Sequence, residues 1–351
     1  MTIGTPPQPF RALLDISSPD TFVPSSTCKG SYGLCNGHFQ YNGDWSRTVN
    51  RTGKVVLNSY PGLYYQAVVT GDALTIGGLE IENQQFLEGM RVSSSPFVPW
   101  LEDWDAVIGF APDDENSAAR LQGPWTRIAQ KQLVKDNILS VYLGRYDPDW
   151  GMIPGEMTLG GVNEELLAPN TSMVFIPMSN NTDPPDLYYP ILNSTWQVPA
   201  DSVAFTWFNR TSGENMTFRA DLPSNGTARF DTIYPQIALP RSIVRVLDEI
   251  AKPRGISWFI LPGIECSKMA ILPDLVFTLA GEDFILRPDD YVMQSVATGE
   301  YRCLWPFTWS PDVFEDDFFL LGSPFMRGFY MAFDLDSRNI GFGTHRWRAS
   351  S

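Results

Sequence analysis

Phe10-Arg11-Ala12-Leu13-Leu14-Asp15-Ile16-Ser17-Ser18 drives an apolar run into an aspartate and follows it with hydroxyl residues. Ala228-Arg229-Phe230-Asp231-Thr232-Ile233-Tyr234 does the same in the second half of the chain. A carboxylate at the end of a hydrophobic strand is costly unless something compensates it. Two such sites, one per half, point to a carboxylate pair produced by internal duplication. The spacing supports this reading. Val107-Ile108-Gly109 resembles Leu320-Leu321-Gly322, and the glycines follow their aspartates by 94 and 91 residues.

Outward from these runs, short alternating segments dominate, as in Lys54-Val55-Val56-Leu57 and Ala73-Leu74-Thr75-Ile76 before Gly77-Gly78. Helical periodicity is rare. We expect one amphipathic stretch over Ser117 to Val134. Another runs over Pro240 to Ala251, with Ile243, Val244, Val246, Leu247 and Ile250 on its apolar face. The fold class is mainly β with a few short helices. A chain of 351 residues has room for two lobes with their own cores. The expected division is an N-terminal lobe over 1–165, a Pro/Asn/Ser/Thr-rich connection over 166–190, and a C-terminal lobe over 191–351.

A net charge of −15 leaves no basic surface for phosphates, which excludes nucleic acid as a partner. No apolar run approaches the roughly 20 residues of a membrane span. Cys28, Cys35, Cys266 and Cys303 allow three pairings, of which local closure within each half is the simplest. Asn50, Asn170, Asn180, Asn193, Asn209, Asn215 and Asn225 each head an Asn-x-Ser/Thr triplet. Their crowding after Asn170 favours a glycosylated, disulfide-bonded protein of the secretory pathway or vacuolar lumen. Met1 runs straight into strand-like sequence, so we expect a leader that was removed or a start lying upstream. The C-terminus carries no lipid-anchor signal.

At this point the residues resemble the pepsin-like aspartic proteases over nearly the whole chain. Ile3-Gly4-Thr5-Pro6-Pro7-Gln8-Pro9-Phe10 looks like the entry strand. Phe22-Val23-Pro24-Ser25, Ile237-Ala238-Leu239-Pro240, Leu272-Pro273-Asp274-Leu275-Val276-Phe277 and Leu320-Leu321-Gly322-Ser323-Pro324-Phe325 continue the pattern. The resemblance implies two β lobes related by a pseudo-twofold, each supplying one catalytic aspartate, Asp15 and Asp231. It places Tyr60 at the flap tyrosine, and Phe22 at the border of a cleft that takes a peptide or small-molecule ligand. It implies a monomer that needs no metal or organic cofactor. Two carboxylates that share a proton could activate a water for attack on a carbonyl.

The active loops depart from the family pattern of Asp, Thr or Ser, Gly, then Ser or Thr. Ile16 has no hydroxyl to brace the opposite loop, whereas Thr232 keeps its half of that brace. Ser17 and Ile233 stand where glycine allows close backbone approach, so we expect disturbed geometry there. Ser18 fits, but Tyr234 brings a phenol in place of a small hydroxyl. Pro61 follows the flap tyrosine and has no N–H for a substrate carbonyl. Ser323 replaces an acidic residue found in many relatives. These changes leave three readings. The first is an aspartic endopeptidase, atypical or weak on peptides. The second is a repurposed acid–base enzyme that dehydrates or cyclises a small molecule. The third is a non-catalytic, inhibitor-like pseudoprotease. Other chemistry finds little support. His38 and His345 are the only histidines, and Gly77-Gly78 is too short for a nucleotide loop. Glu315, Asp316 and Asp317 read as a solvated turn.

Overall fold

Ala106–Gly109 and Phe318–Leu321 are buried along their whole length. Unbroken apolar runs of this kind suit strands inside a sheet, covered on both faces. In the computed structural model Ala106–Gly109 lies between Ala12–Asp15, to which it is parallel, and Phe22–Gly30. Phe318–Leu321 lies in the same way between the parallel strand Thr227–Phe230 and the antiparallel strand Ile237–Ala238. The structure describes the chain except residues 31–34, 36, 61–62, 95–103, 114–119, 148–150, 180–195, 210–211, 256–260, 298–299, 310–317 and 349–351. Pro61, Asn180, Asn193 and the Glu315–Asp317 group therefore lie outside the described residues.

Residues 1–135 form one compact unit, and residues 136–179 with 196–348 form another. The first unit is built on an eight-stranded sheet. Its long hairpins, Asn50–Tyr60 with Leu63–Ile76 and then Leu79–Ser94, enclose Leu74, Ile81, Phe86 and Leu87, all fully buried. Ile76 pairs directly with Leu79, and the two residues between them, Gly77 and Gly78, have φ of 56° and 82°. Two consecutive positive φ values are what a tight hairpin turn of this hand needs, and this explains the glycine pair.

The second unit has its own eight-stranded sheet and a five-stranded sheet. An aromatic core joins Phe230, Phe277, Phe319, Phe325, Phe329 and Phe342, with ring centroids 5.1–6.0 Å apart for Phe325–Phe329, Phe277–Phe325, Phe230–Phe342, Phe277–Phe319 and Phe230–Phe325. Residues 136–165, expected in the first lobe, pack in this second unit. The physical reason is strand pairing: Ile138–Tyr142 joins Tyr330–Asp334 on one side and Glu156–Leu159 on the other. Part of the expected connection is also structured, since Val174–Pro177 pairs with Asn339–Gly343.

The helix Arg241–Ala251 buries Ile243, Val244, Leu247 and Ala251, and Lys252 ends it in the left-handed conformation at φ 49°. Over Ser117 to Val134 the described helix is only Pro124–Gln130. Gly123 is its N-cap with Pro124 in the first turn, so the start signal lies inside the apolar pattern. Disulfides join Cys28 to Cys35 and Cys266 to Cys303. Asn50, Asn170, Asn215 and Asn225 are exposed and Asn209 is half-buried. Among the described residues no helix is long and apolar enough to cross a membrane.

Candidate active site

Asp15 ends the strand Ala12–Asp15 in register with Gly109, and its carbonyl accepts the Phe110 N–H at 2.6 Å. The side chain is fully buried. Its Oδ1 accepts from the Ser17 N–H at 2.7 Å and the Ser18 N–H at 3.2 Å. In the second unit Asp231, also fully buried, follows the strand Thr227–Phe230. Its Oδ1 accepts from the Ile233 N–H at 2.8 Å and the Tyr234 N–H at 3.2 Å. The two loops thus hold their carboxylates with the same pair of backbone donors, two and three residues on.

The register around each loop repeats as well. Phe22, seven residues after Asp15, pairs with Val107, and Ala238, seven after Asp231, pairs with Leu320; each partner is two residues before its glycine. The role of those glycines was hidden in the repeat. A Cβ on Gly109 would overlap the Ser18 carbonyl and the Pro19 backbone, and one on Gly322 would overlap the Tyr234 and Gln236 carbonyls. Each glycine lets the active loop lie directly on the central strand. The sequence marked both residues as duplication markers, and their identity as glycine was the available signal for close approach.

The disturbance expected from Ser17 and Ile233 is absent from the backbone of either loop. Neither residue has a positive φ, so a side chain costs no strain there. Ser17 is half-buried and adds a donor, with its Oγ 2.6 Å from Asp15 Oδ1. Ser18 Oγ accepts instead from the Asp20 N–H at 3.1 Å. Ile16 is fully buried and Thr232 is half-buried. Tyr234 keeps its backbone bond to Asp231. Burial, then the nearby Asp231 charge, push its phenol far up, so the hydroxyl stays protonated. Ser323 braces this loop, its N–H donating to the Tyr234 carbonyl at 2.9 Å and its Oγ lying 3.3 Å from the same oxygen.

Phe22 is buried within the first unit, its ring 4.8 Å from that of Tyr65 and across Gly89. Tyr60 ends the strand Asn50–Tyr60 and pairs with Leu63. The first unit also holds a polar group that sequence reasoning missed. Tyr41 Oη donates to Asp72 Oδ2 at 2.6 Å, and Thr48 Oγ1 donates to Asp72 Oδ1 at 2.6 Å. Burial, then that hydrogen bond, push the Tyr41 phenol up. No local pattern announces this cluster, because its members come from separate strands and loops. Among the described residues no group of three or more His, Cys, Asp or Glu side chains could hold a metal.

The family description eukaryotic aspartyl protease matches residues 1–345. Vacuolar protease A of Neurospora crassa is 28% identical over 345 residues, covering 98% of this chain and 77% of the relative. Cathepsin D of Dictyostelium discoideum is 25% identical over 348 residues, covering 98% of this chain and 82% of the relative. Renin of Ovis aries is 26% identical over 347 residues, covering 98% and 79%.

Proposed function

The chain belongs to the eukaryotic aspartyl protease family, and from that premise we propose an aspartic endopeptidase-like hydrolase in which Asp15 and Asp231 work as a pair on a bound water. The observation that carries this reading is the matched cradle. Despite the altered side chains, each Oδ1 keeps two backbone donors, at 2.7 and 3.2 Å for Asp15 and at 2.8 and 3.2 Å for Asp231. The ionised member of the pair takes a proton from water, and the water oxygen attacks the peptide carbonyl carbon. The protonated member donates its proton toward the carbonyl oxygen as charge develops there. The titration belongs to the pair.

The substrate is a peptide in an extended cleft, and the protein is a monomer. The secretory pathway or vacuolar lumen is its place, supported by two disulfides and exposed Asn-x-Ser/Thr sites. The name of the Neurospora relative, a vacuolar protease, supports the same compartment. We expect glycosylated protein with its native N-terminus to cleave an apolar-centred peptide at acidic pH. Asp15→Asn or Asp231→Asn should lower that rate by about 10²–10⁴-fold. No cleavage between pH 2 and 7 would remove this reading.

A second reading is favoured by Tyr234, whose protonated phenol belongs to the loop that holds Asp231. The pair would then serve acid–base chemistry on a non-peptide ligand. Activity on a small molecule that depends on both aspartates and on the Tyr234 hydroxyl, with peptides untouched, would select it.

A further inference from the structure

The two active loops match in their backbone donors, and the first adds a side-chain donor of its own. Asp231 Oδ1 receives two N–H donors. Asp15 Oδ1 receives the equivalent two and, in addition, the Ser17 hydroxyl at 2.6 Å. Ile233 stands at the corresponding place in the second loop and has no hydroxyl to give. At 2.6 Å an O–H···O contact lies in the range of a hydroxyl donating to a charged carboxylate. Ser17 is half-buried and its carboxylate partner fully buried, so water does not substitute freely for this donor.

We propose that Ser17 is a positioning residue for the reaction: its hydroxyl fixes Asp15 Oδ1 and keeps Asp15 ionised to lower pH than the backbone donors alone would. This rests on the endopeptidase-like reading only for its consequence on rate. The physical reason is that a donor to the charged form stabilises that form, and the proton taken up on acidification weakens the bond. Ser17 acts through Asp15 Oδ1, the oxygen on which the loop's donors converge, and so through the carboxylate rather than on substrate. The side chain that replaces glycine in this family pattern thus supplies a third donor to the acid.

The test compares wild type with Ser17→Ala, Ser17→Gly and Ser17→Thr by two readouts. The first is the Asp15 side-chain carboxyl, followed by ¹³C NMR titration in the Asp231→Asn background, with the resonance identified by its loss in Asp15→Asn. We expect Ser17→Ala and Ser17→Gly to move its midpoint upward by about one pH unit, and Ser17→Thr to restore it. The second readout is the acid limb of kcat/KM on a peptide. It should move the same way, with about a tenfold loss below the limb and little change in KM. A midpoint that stays in place in both Ser17→Ala and Ser17→Gly overturns the proposal, even if thermal stability falls. The NMR titration needs no activity, so a wild type that cleaves no peptide would refute the functional reading while Ser17 remained fully tested.

Discussion

Gly109 and Gly322 show how a single missing methyl group sets the position of a loop that holds a buried aspartate. Neither has a positive φ, so torsion does not demand glycine. Space does. The atoms that a Cβ would meet are backbone atoms of the active loops, Ser18 to Asp20 in one unit and Tyr234 to Gln236 in the other. A flexible side chain could swing aside, but these segments are tied down. Ala111 N–H donates to the Ser18 carbonyl at 3.2 Å, and Gly322 N–H donates to the Gln236 carbonyl at 3.1 Å. We therefore expect Gly109→Ala to destabilise the protein by about 1–3 kcal/mol, the range for overpacking. It should also weaken the Ser17 and Ser18 donors to Asp15. A urea unfolding midpoint checks the first effect, and the Asp15 titration checks the second. An unchanged midpoint would mean that the loop can lift away freely.

At the scale of elements, what the sequence revealed depended on whether the cause was local. The hairpin at Gly77-Gly78 was legible because two glycines between alternating runs are a local instruction. Gly78 has φ 82°, and a methyl group on its Cα would meet nothing within 4 Å, so its requirement is torsional only. Gly78→Ala should cost about 1–2 kcal/mol through left-handed backbone strain, with the thermal midpoint falling and the Asp15 titration unmoved. The Asp-to-Gly spacing was legible for a similar reason: a duplication leaves matching intervals. The helix Arg241–Ala251 was also legible from its apolar face and Pro240. The stretch over Ser117 to Val134 misled because its apolar spacing continues across Gly123-Pro124, where the described helix begins. Residues 136–165 misled for a non-local reason. Their strand partners, Tyr330–Asp334 among them, lie far along the chain, and composition does not encode that pairing. Ser17 misled differently. Read as lost glycine, it suggested damage, yet its backbone needs no positive φ and its hydroxyl reaches the carboxylate.

For the molecule as a whole, acid pH opposes some buried groups and favours others. His345 is fully buried between Tyr142 and Trp347, with ring centroids 5.0 and 6.4 Å away. Burial, then the positive charges of Arg145 and Arg348, lower its pKa from 6.5 to about 3, although the Arg327 backbone favours the charged form. The folded protein therefore binds this proton less readily than the unfolded chain. Its stabilisation is fully present above pH 6.5 and is lost as pH falls from 6.5 to about 3. A gap of that size is worth on the order of 5 kcal/mol. Asp105 has the same sign at lower pH. Burial alone would raise its carboxyl, but the Arg11 and Phe39 N–H donors and the Arg11 side chain outweigh it and hold it below the usual range. Its contribution is present above about pH 4 and is lost as acid protonates it. Asp290 and Asp248 have the opposite sign. Burial raises both, despite Arg348 beside Asp290 at 2.8 Å and the Trp305 N–H donating to Asp248 at 2.8 Å. Their contribution is present in acid and fades as pH rises through their folded values. His345 is the one of these groups that titrates between pH 6.5 and 3 in the acid-sensitive direction without a carboxylate of its own. Replacing it by phenylalanine keeps a ring against Tyr142 and Trp347 and removes the proton. We expect His345→Phe to flatten the fall in urea midpoint between about pH 6.5 and 4 while leaving the m-value unchanged. If the midpoint of His345→Phe falls with pH as steeply as that of the wild type, acid sensitivity arises elsewhere, and the buried imidazole is not its source.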